Sequence, residues 1–137
     1  MGLLIMTDRR ALVAEDSLLI LLDLEAVLGR LGIGIIGPAA TLQETLALAE
    51  ADIADIAILD IDLNGEMVYP AADILIARGV PVIFATGYGG AALPRQYWDV
   101  PLLRKPYKDS ELLDLVEKAF ALSRRHWRKN RAATARV

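Results

Sequence analysis

Charged and hydroxyl side chains stand at the ends of four apolar runs in this sequence. The residues are Glu15, Asp16, Asp60, Thr86 and Lys105. If the runs are parallel strands of one sheet, all five residues lie at its carboxyl edge, where open α/β sheets bind ligands. Close carboxylates repel one another, and a divalent cation such as Mg²⁺, which prefers oxygen ligands, relieves that repulsion. The pattern therefore predicts a magnesium-dependent site that accepts a phosphoryl group.

The residue types suggest a division of roles within this site. Glu15 and Asp16 can hold Mg²⁺ directly or through water, with Asp60 as a further ligand and as the nucleophile, because a carboxylate can carry an acyl phosphate. Lys105 would pair with a phosphate oxygen and Thr86 would donate a hydrogen bond to it. Each residue alone also has a structural explanation, such as a helix cap, a turn or a surface charge. The presence of all five types at one edge favours the functional interpretation.

Alternating strand and helix patterns must position these residues. The predicted strands cover residues 10–14, 34–36, 55–60, 80–85 and 100–103. The predicted helices cover residues 17–31, 41–51, 67–78 and 91–97, and a last helix capped by Asp109 or Ser110 runs into the C-terminal tail. Thr41 and Glu44 have the capping-box spacing, and the stretch 62–66, with Asn64-Gly65, is predicted to be a loop.

This alternation predicts an α/β fold, a flavodoxin-like doubly wound (βα)5 domain. The strand runs are mostly apolar rather than alternating, as strands covered on both faces require. Right-handed crossovers and the order 2-1-3-4-5 put the first and third strands side by side at the switch point of the sheet. That order brings Glu15 and Asp16 next to Asp60.

Composition limits the class of protein. The 137 residues suffice for one domain with a full core, and the absence of cysteine excludes disulfides and thiolate metal sites. We find no segment that reads as a membrane span or a signal peptide, so a cytoplasmic location is expected. Residues 1–123 carry a net charge of −9 and residues 124–137 hold six Lys/Arg and no acid. We expect a domain over 1–123, a basic tail over 124–137, and no direct binding of nucleic acid.

Four motifs give the chain a resemblance to a known family. They are Val13-Ala14-Glu15-Asp16, Ile58-Leu59-Asp60-Ile61-Asp62, Phe84-Ala85-Thr86-Gly87-Tyr88 and Arg104-Lys105-Pro106-Tyr107. With these motifs the chain resembles the receiver domains of two-component response regulators over residues 9 to 122. The resemblance implies that Asp60 is phosphorylated and that Glu15, Asp16, Asp60 and the backbone carbonyl of Asp62 surround Mg²⁺. It also implies that Thr86 and Lys105 read the phosphoryl group and that Lys105-Pro106 is a cis peptide.

The Phe84-Ala85-Thr86-Gly87 run is similar to the type found in many alphaproteobacterial single-domain receivers. This similarity implies a histidine kinase, of the HWE or a related class, or a phosphotransfer protein as the phosphodonor. The chain would then be a signalling protein rather than a turnover enzyme, catalysing only its own phosphorylation and slow dephosphorylation. We expect residues 87–92 and the predicted helix over 91–97 to form the switching element. Altered protein binding would then carry the output to a downstream target that the sequence does not name.

Several alternatives stay open at this stage. Many receivers have Tyr or Phe where this chain has Leu102, so Tyr88 or Tyr107 would have to supply an aromatic switch, or simply pack. The first helix carries more leucines than one buried stripe needs, which suggests a partner surface or a homodimer. Asp60-Ile61-Asp62 also mimics the Asp-x-Asp pair of haloacid-dehalogenase-like phosphatases. A receiver-like module that never takes phosphate is the third functional class.

Overall fold

A five-stranded parallel sheet with helices on both faces forms the framework of the protein. The computed structural model describes residues 8–87 and 93–122. The sheet contains β1 (Arg10–Ala14), β2 (Gly34–Ala39), β3 (Ile56–Asp60), β6 (Val82–Thr86) and β7 (Leu102–Arg104) in the order β2-β1-β3-β6-β7. Since β4 (Asp62–Leu63) and β5 (Glu66–Met67) form a separate hairpin, this is the predicted order 2-1-3-4-5. The flavodoxin-like fold is confirmed.

Four α-helices cover the sheet within the described residues: α1 (Leu18–Arg30), α2 (Leu42–Glu50), α3 (Tyr69–Ala77) and α4 (Asp109–Leu122). The predicted capping box is present at α2, where Thr41 Oγ1 accepts the Glu44 amide at 3.1 Å and Glu44 Oε1 accepts the Ala40 amide. Ser17 occupies the N-cap position of α1, but its side chain makes no capping hydrogen bond. The last helix begins at Asp109 itself, so neither Asp109 nor Ser110 is the residue in front of it.

The core has two layers, one on each face of the sheet. Along β1, Leu12 and Ala14 face α2 and α3, while Ala11 and Val13 face α1 and α4. All five residues of β3 and of β6 are buried. Burial on both faces explains why these strands are apolar throughout instead of alternating. It also leaves the strand ends as the natural place for polar residues.

The stretch predicted to be a loop after Asp60 is a β-hairpin. Asp62 pairs with Met67 and Leu63 with Glu66 in antiparallel register. The two residues of the turn, Asn64 and Gly65, have φ values of 53° and 92°, which suits the Asn-Gly pair. Because the hairpin includes Met67, α3 begins two residues later than predicted.

The edge strand β2 extends past Pro38, which was expected to close it after residue 36. Its register against β1 shifts so that Leu12 faces Ile36 whereas Ala14 faces Ala39. Gly37, with φ of 98° and a Cβ position only 2.8 Å from the Ala39 amide nitrogen, makes this irregularity possible. Proline is tolerated because β2 lies at the edge of the sheet, and the Gly37-Pro38 peptide is cis.

Other predictions are corrected or lie outside the described residues. Of the helix predicted over 91–97, the structure shows one 3₁₀ turn at Arg95–Tyr97, and residues 88–92 are outside the description. The basic tail 124–137 also lies outside it. No helix in the ranges 8–87 and 93–122 has the length and apolarity to cross a membrane.

The surplus leucines of α1 lie on its outer face. Leu18, Leu19 and Leu22 are 69%, 81% and 53% exposed, while Leu24 and Leu28 are buried against the sheet. The helix is therefore apolar on more than its core side. A partner or homodimer contact through this face stays a prediction.

Candidate functional site

All five residues predicted from the strand ends lie at one edge of the sheet. Glu15 and Asp16 follow β1, Asp60 and Thr86 are the last residues of β3 and β6, and Lys105 follows β7. Backbone hydrogen bonds fix these ends against one another. The Glu15 amide donates to Ala39 O at 2.9 Å, and the Lys105 amide donates to Thr86 O at 2.8 Å.

The Lys105 ammonium bridges two of the carboxylates. Its Nζ lies 2.7 Å from Glu15 Oε1 and 3.0 Å from Asp60 Oδ2. Glu15 and Asp60 are buried, with only 2% and 6% of their surface exposed. Burial raises the pKa of Glu15 above its usual range, against the opposing effect of Lys105. Burial alone would lower the pKa of Lys105, but its hydrogen bonds and the two negative charges outweigh that effect and raise it.

A third carboxylate completes an acidic cluster beside this ion pair. One carboxylate oxygen each from Glu15, Asp16 and Asp60 lie within 4.8 Å of one another. Three carboxylates and one ammonium leave two negative charges in excess, which matches a divalent cation. The donors are all hard oxygens, as Mg²⁺ prefers, and Asp16 is exposed, so bound water can complete the coordination. The residues therefore fit Mg²⁺.

A cavity of about 370 Å³ opens over the cluster. It is lined by Asp16, Asp60, Asp62, Asn64, Gly65, Gly87 and Lys105. Asp62 turns its backbone towards Asp60, since its amide lies 3.3 Å from Asp60 Oδ1, while its own carboxylate accepts the Gly65 amide at 2.6 Å. Thr86, the predicted hydroxyl, is buried at the end of β6 with 4% of its surface exposed. The open space therefore lies directly over Asp60.

A contact between the hairpin turn and the acidic cluster was not predicted from the sequence. The Asn64 amide donates a hydrogen bond to Asp16 Oδ2 at 3.2 Å, so the hairpin turn touches the acidic cluster. Asn64-Gly65 was identified as a turn, but a turn motif does not show which distant side chain it will meet. The nearby Ser17 amide also donates to Glu15 Oε2 at 3.0 Å.

The segment after Lys105 borders a second cavity, which is also lined by Leu19, Ile20 and Asp23 of α1. The Lys105-Pro106 peptide is cis, as the resemblance implied. Tyr107 is half-buried and packs on the α1–α4 side of the core, and its hydroxyl has no hydrogen-bond partner among the described residues. Burial, followed by nearby carboxylates such as Asp23, raises the pKa of Tyr107. Tyr107 thus packs against the core in this structure, and its role as an aromatic switch stays a prediction. Tyr88 lies outside the described residues.

Leu102 occupies the position where many receivers carry an aromatic switch residue. Leu102 is partly buried and pairs with Phe84 of β6. The aromatic side chain against Phe84 is instead Tyr97, with ring centroids 5.7 Å apart, and Tyr97 stacks on Tyr69 at 4.6 Å. Three rings from β6, α3 and the 3₁₀ turn therefore form one cluster beneath the end of β6.

Comparison with known proteins places this site in a family. The chain is 36% identical to SdrG from Sphingomonas melonis Fr1, with a TM-score of 0.70 over 84% of this chain and 95% of that one. It is 28% identical to the response regulator PhyR from Brucella abortus, with a TM-score of 0.77 over 90% of this chain and 52% of that one. The receiver domain of the sensor histidine kinase PA1611 from Pseudomonas aeruginosa PAO1, at 24% identity, shows the same fold over 82% of this chain and 98% of that one, with a TM-score of 0.70.

A curated relative agrees with these structures. The transcriptional regulatory protein PdtaR from Mycobacterium tuberculosis is 32% identical over 115 residues, which are 81% of this chain and 56% of the relative. The chain thus spans about half the length of PdtaR and of PhyR. No protein-family model matches the sequence. Fold, site and relatives together show that this chain belongs to the response-regulator receiver family, and it is similar to receivers of the PhyR and SdrG type.

Proposed function

We propose that the protein is a response-regulator receiver that accepts a phosphoryl group on Asp60. The observation that carries the proposal is the position of the Asp60 carboxylate. It lies under an open cavity, 3.0 Å from the Lys105 ammonium and within the acidic cluster that suits Mg²⁺. Phosphoryl transfer depends mainly on positioning and charge neutralisation, so this small set of groups suffices.

The residues of the chain divide the work of the transfer. Glu15, Asp16 and Asp60 would hold Mg²⁺, with the backbone carbonyl of Asp62 as a further ligand. The bound Mg²⁺ would neutralise charge on the phosphoryl oxygens. An Asp60 oxygen attacks the phosphorus of the phosphohistidine donor. The bond between phosphorus and the imidazole nitrogen breaks, and its electron pair stays on the imidazole. Lys105, already 3.0 Å from Asp60, then pairs with the new phosphoryl charge, and the Thr86 hydroxyl donates to a phosphoryl oxygen.

The relatives support both the metal and the donor class. The PA1611 receiver is described with a magnesium ion coordinated in its active-site cleft, and it belongs to a sensor histidine kinase. We infer that a phosphohistidine supplies the phosphoryl group here, from a histidine kinase of the HWE or a related class or from a phosphotransfer protein. A kinase that draws on ATP fits a cytoplasmic location for the protein.

The phosphorylated protein would act through binding and not through turnover of a substrate. A new phosphate adds about −1.5 to −2 charges beside Lys105, which draws Lys105 and Thr86 towards it. Movement at Thr86 reaches the segment that follows it in the chain, and the altered surface changes affinity for a downstream protein. Couplings of this kind are typically about 1–3 kcal/mol.

The structure offers an argument against the phosphatase alternative. A haloacid-dehalogenase-like mechanism would use Asp62 as the general acid, whereas the Asp62 carboxylate is held by the Gly65 amide at 2.6 Å. That hydrogen bond ties the Asp62 carboxylate into the hairpin turn. Repeated turnover of a small phosphomonoester by the purified protein would nevertheless support the phosphatase.

Labelling with acetyl phosphate and Mg²⁺ tests the proposal. We expect wild-type protein to gain the mass of one phosphoryl group per chain, with a label that hydroxylamine releases, and EDTA to prevent it. Asp60→Asn should take no label. The matched control is Asp114→Asn, because Asp114 is an exposed carboxylate paired with Lys118 on α4, and it should label like wild type.

Beryllofluoride separates a receiver from a passive interaction module. Addition of beryllofluoride with Mg²⁺ should shift the amide signals of Asp60, Thr86 and Gly87. A spectrum that does not change, together with no label on Asp60, would overturn the proposed function.

A further inference from the structure

The hairpin after β3 is built around a turn that needs left-handed backbone at two consecutive positions. Asn64 and Gly65 have φ values of 53° and 92°. The turn is held from both sides, because the Asp62 carboxylate accepts the Gly65 amide at 2.6 Å and Leu63 is buried with 1% of its surface exposed. The Val68 amide also donates to Ile61 O at 2.9 Å and closes the base of the hairpin. The position of the Asn64 amide is therefore fixed relative to the sheet.

That amide points at the most exposed member of the acidic cluster. Asn64 N lies 3.2 Å from Asp16 Oδ2, across 48 residues of sequence. Glu15 and Asp60 are buried and share the Lys105 ammonium, whereas Asp16 is exposed at the rim. The rigid hairpin thus supplies a hydrogen bond to the one carboxylate of the cluster that burial does not constrain.

We propose that the Asn64-Gly65 turn is a positioning element for the divalent cation. By holding Asp16 in place before the cation arrives, the Asn64 amide removes part of the side-chain entropy that coordination would otherwise cost. A hydrogen bond that orients a ligating carboxylate acts as the outer partners of metal ligands generally do. This inference rests on the proposed function, because it assumes that the acidic cluster binds Mg²⁺, but it assigns a determinant of affinity to residues outside the ligand set.

The chain offers a substitution that disturbs the turn without altering any ligand. A Cβ added at Gly65 would meet no atom within 4 Å, so Gly65→Ala causes no steric clash and acts only through the strain of φ at 92°. Relief of that strain would move the Asn64 amide away from Asp16. We expect the affinity for Mg²⁺, measured from amide shifts in an NMR titration with MgCl₂ alone, to fall about tenfold.

The matched control carries the same kind of backbone strain far from the site. Gly32 has φ of 77° and lies between the end of α1 and the start of β2. It is therefore at the amino ends of the strands, whereas the site is at their carboxyl ends. Gly32→Ala should lower the midpoint of thermal unfolding as Gly65→Ala does, yet keep wild-type affinity for Mg²⁺. Amide hydrogen exchange adds a structural measurement, because the Asn64 amide should be protected in the metal-free wild type and lose that protection in Gly65→Ala.

A second variant covers the case in which Gly65→Ala rearranges locally and keeps the hydrogen bond between the Asn64 amide and Asp16. Asn64→Val places a β-branched side chain at φ of 53°, which such residues strongly disfavour, and should weaken Mg²⁺ binding at least as much. Wild-type affinity within twofold in both variants would overturn the positioning role while leaving the proposed function intact. If wild-type protein itself shows no saturable response to Mg²⁺, the proposed function fails, and this inference fails with it.

Discussion

The Lys105 ammonium and the Asp60 carboxylate, 45 positions apart in the chain, lie 3.0 Å apart at the carboxyl edge of the sheet. The same ammonium is 2.7 Å from Glu15. The Lys105 ammonium therefore neutralises part of the negative charge of the two buried carboxylates in the unphosphorylated protein. On phosphorylation it is already within reach of the new phosphoryl oxygens.

Replacement of Lys105 should separate metal binding from stability. Lys105→Ala leaves two buried carboxylates without their cation, so we expect the free energy of unfolding in EDTA to fall by about 2 kcal/mol. Because the cluster then carries one more negative charge, Mg²⁺ should still bind and should restore more stability than it adds to wild type. Urea denaturation with and without MgCl₂ measures both effects. Lys118→Ala, which breaks an exposed pair with Asp114, is the control and should cost less than about 1 kcal/mol. Equal losses in the two variants would contradict this account of the site.

Alkaline pH should destabilise the protein through groups whose pKa is raised by folding. The ordinary pKa values are 10.0 for tyrosine and 10.5 for lysine, and burial raises the pKa of Tyr69, Tyr97 and Tyr107, while ion pairs raise that of Lys105. The folded state therefore holds more protons than the unfolded chain once pH passes 10.0, and the free energy of unfolding falls as pH rises further.

Denaturation curves between pH 9 and about 11 measure this dependence. Tyr107→Phe removes one of the contributing phenols, so its stability should decline less steeply over the same range. A free energy of unfolding that stays constant or increases above pH 10.0 would show that the sign is wrong.

The capping box of α2 should contribute measurable stability, whereas the N-cap residue of α1 should not. Thr41 Oγ1 accepts the Glu44 amide at 3.1 Å, and loss of such a cap typically costs about 1 kcal/mol. Thr41→Ala should therefore lower the free energy of urea unfolding by about that amount. Ser17 makes no capping hydrogen bond with its side chain, so Ser17→Ala is the matched control and should change stability much less. The reverse ranking would mean that the two caps are wrongly described.

A short hydrogen bond links the aromatic cluster of Tyr69, Phe84 and Tyr97 to Asp73 of α3. Tyr97 Oη donates to Asp73 Oδ1 at 2.6 Å, and the Tyr97 ring stacks on Tyr69. Tyr97→Phe keeps the ring but leaves the Asp73 carboxylate without this donor, so stability should fall by about 1–2 kcal/mol. The change should also appear in the near-ultraviolet circular dichroism of the stacked rings. Asp73→Asn, which keeps an acceptor for the hydroxyl, should lose less. If Tyr97→Phe is as stable as wild type, this hydrogen bond does not hold the 3₁₀ turn in place.

Much of the framework followed from local patterns. β1 was predicted at its observed bounds, and the other sheet strands were predicted to within three residues, because strands buried on both faces are continuous apolar runs. Helix boundaries followed the capping box at Thr41 and the positive-φ glycines Gly32 and Gly79. The strand order was predictable because right-handed crossovers leave few arrangements.

Local patterns failed where a long-range contact decides the structure. Residues 62–66 were predicted to be a loop, but they belong to the hairpin formed by β4 and β5, and Leu63 of that hairpin is buried in the core. Pro38 was predicted to close the second strand. Because β2 lies at the edge of the sheet and Gly37 precedes the proline, pairing with β1 continues to Ala39. The ring cluster formed by Tyr69, Phe84 and Tyr97 joins three elements whose contacts no spacing in the sequence specifies.

Local patterns in the chain were enough to identify the side chains at the strand ends, and the parallel arrangement of the strands brings those ends to one edge. The distances follow only from the packed fold, which puts Lys105 between Glu15 and Asp60 and brings the Asn64 amide to Asp16. The difference arises because hydrophobic periodicity depends only on neighbouring residues, and so it indicates which segments are buried and which are strands. Hydrogen bonds and ion pairs between residues more than 40 positions apart depend instead on how the packed layers fix each backbone in space.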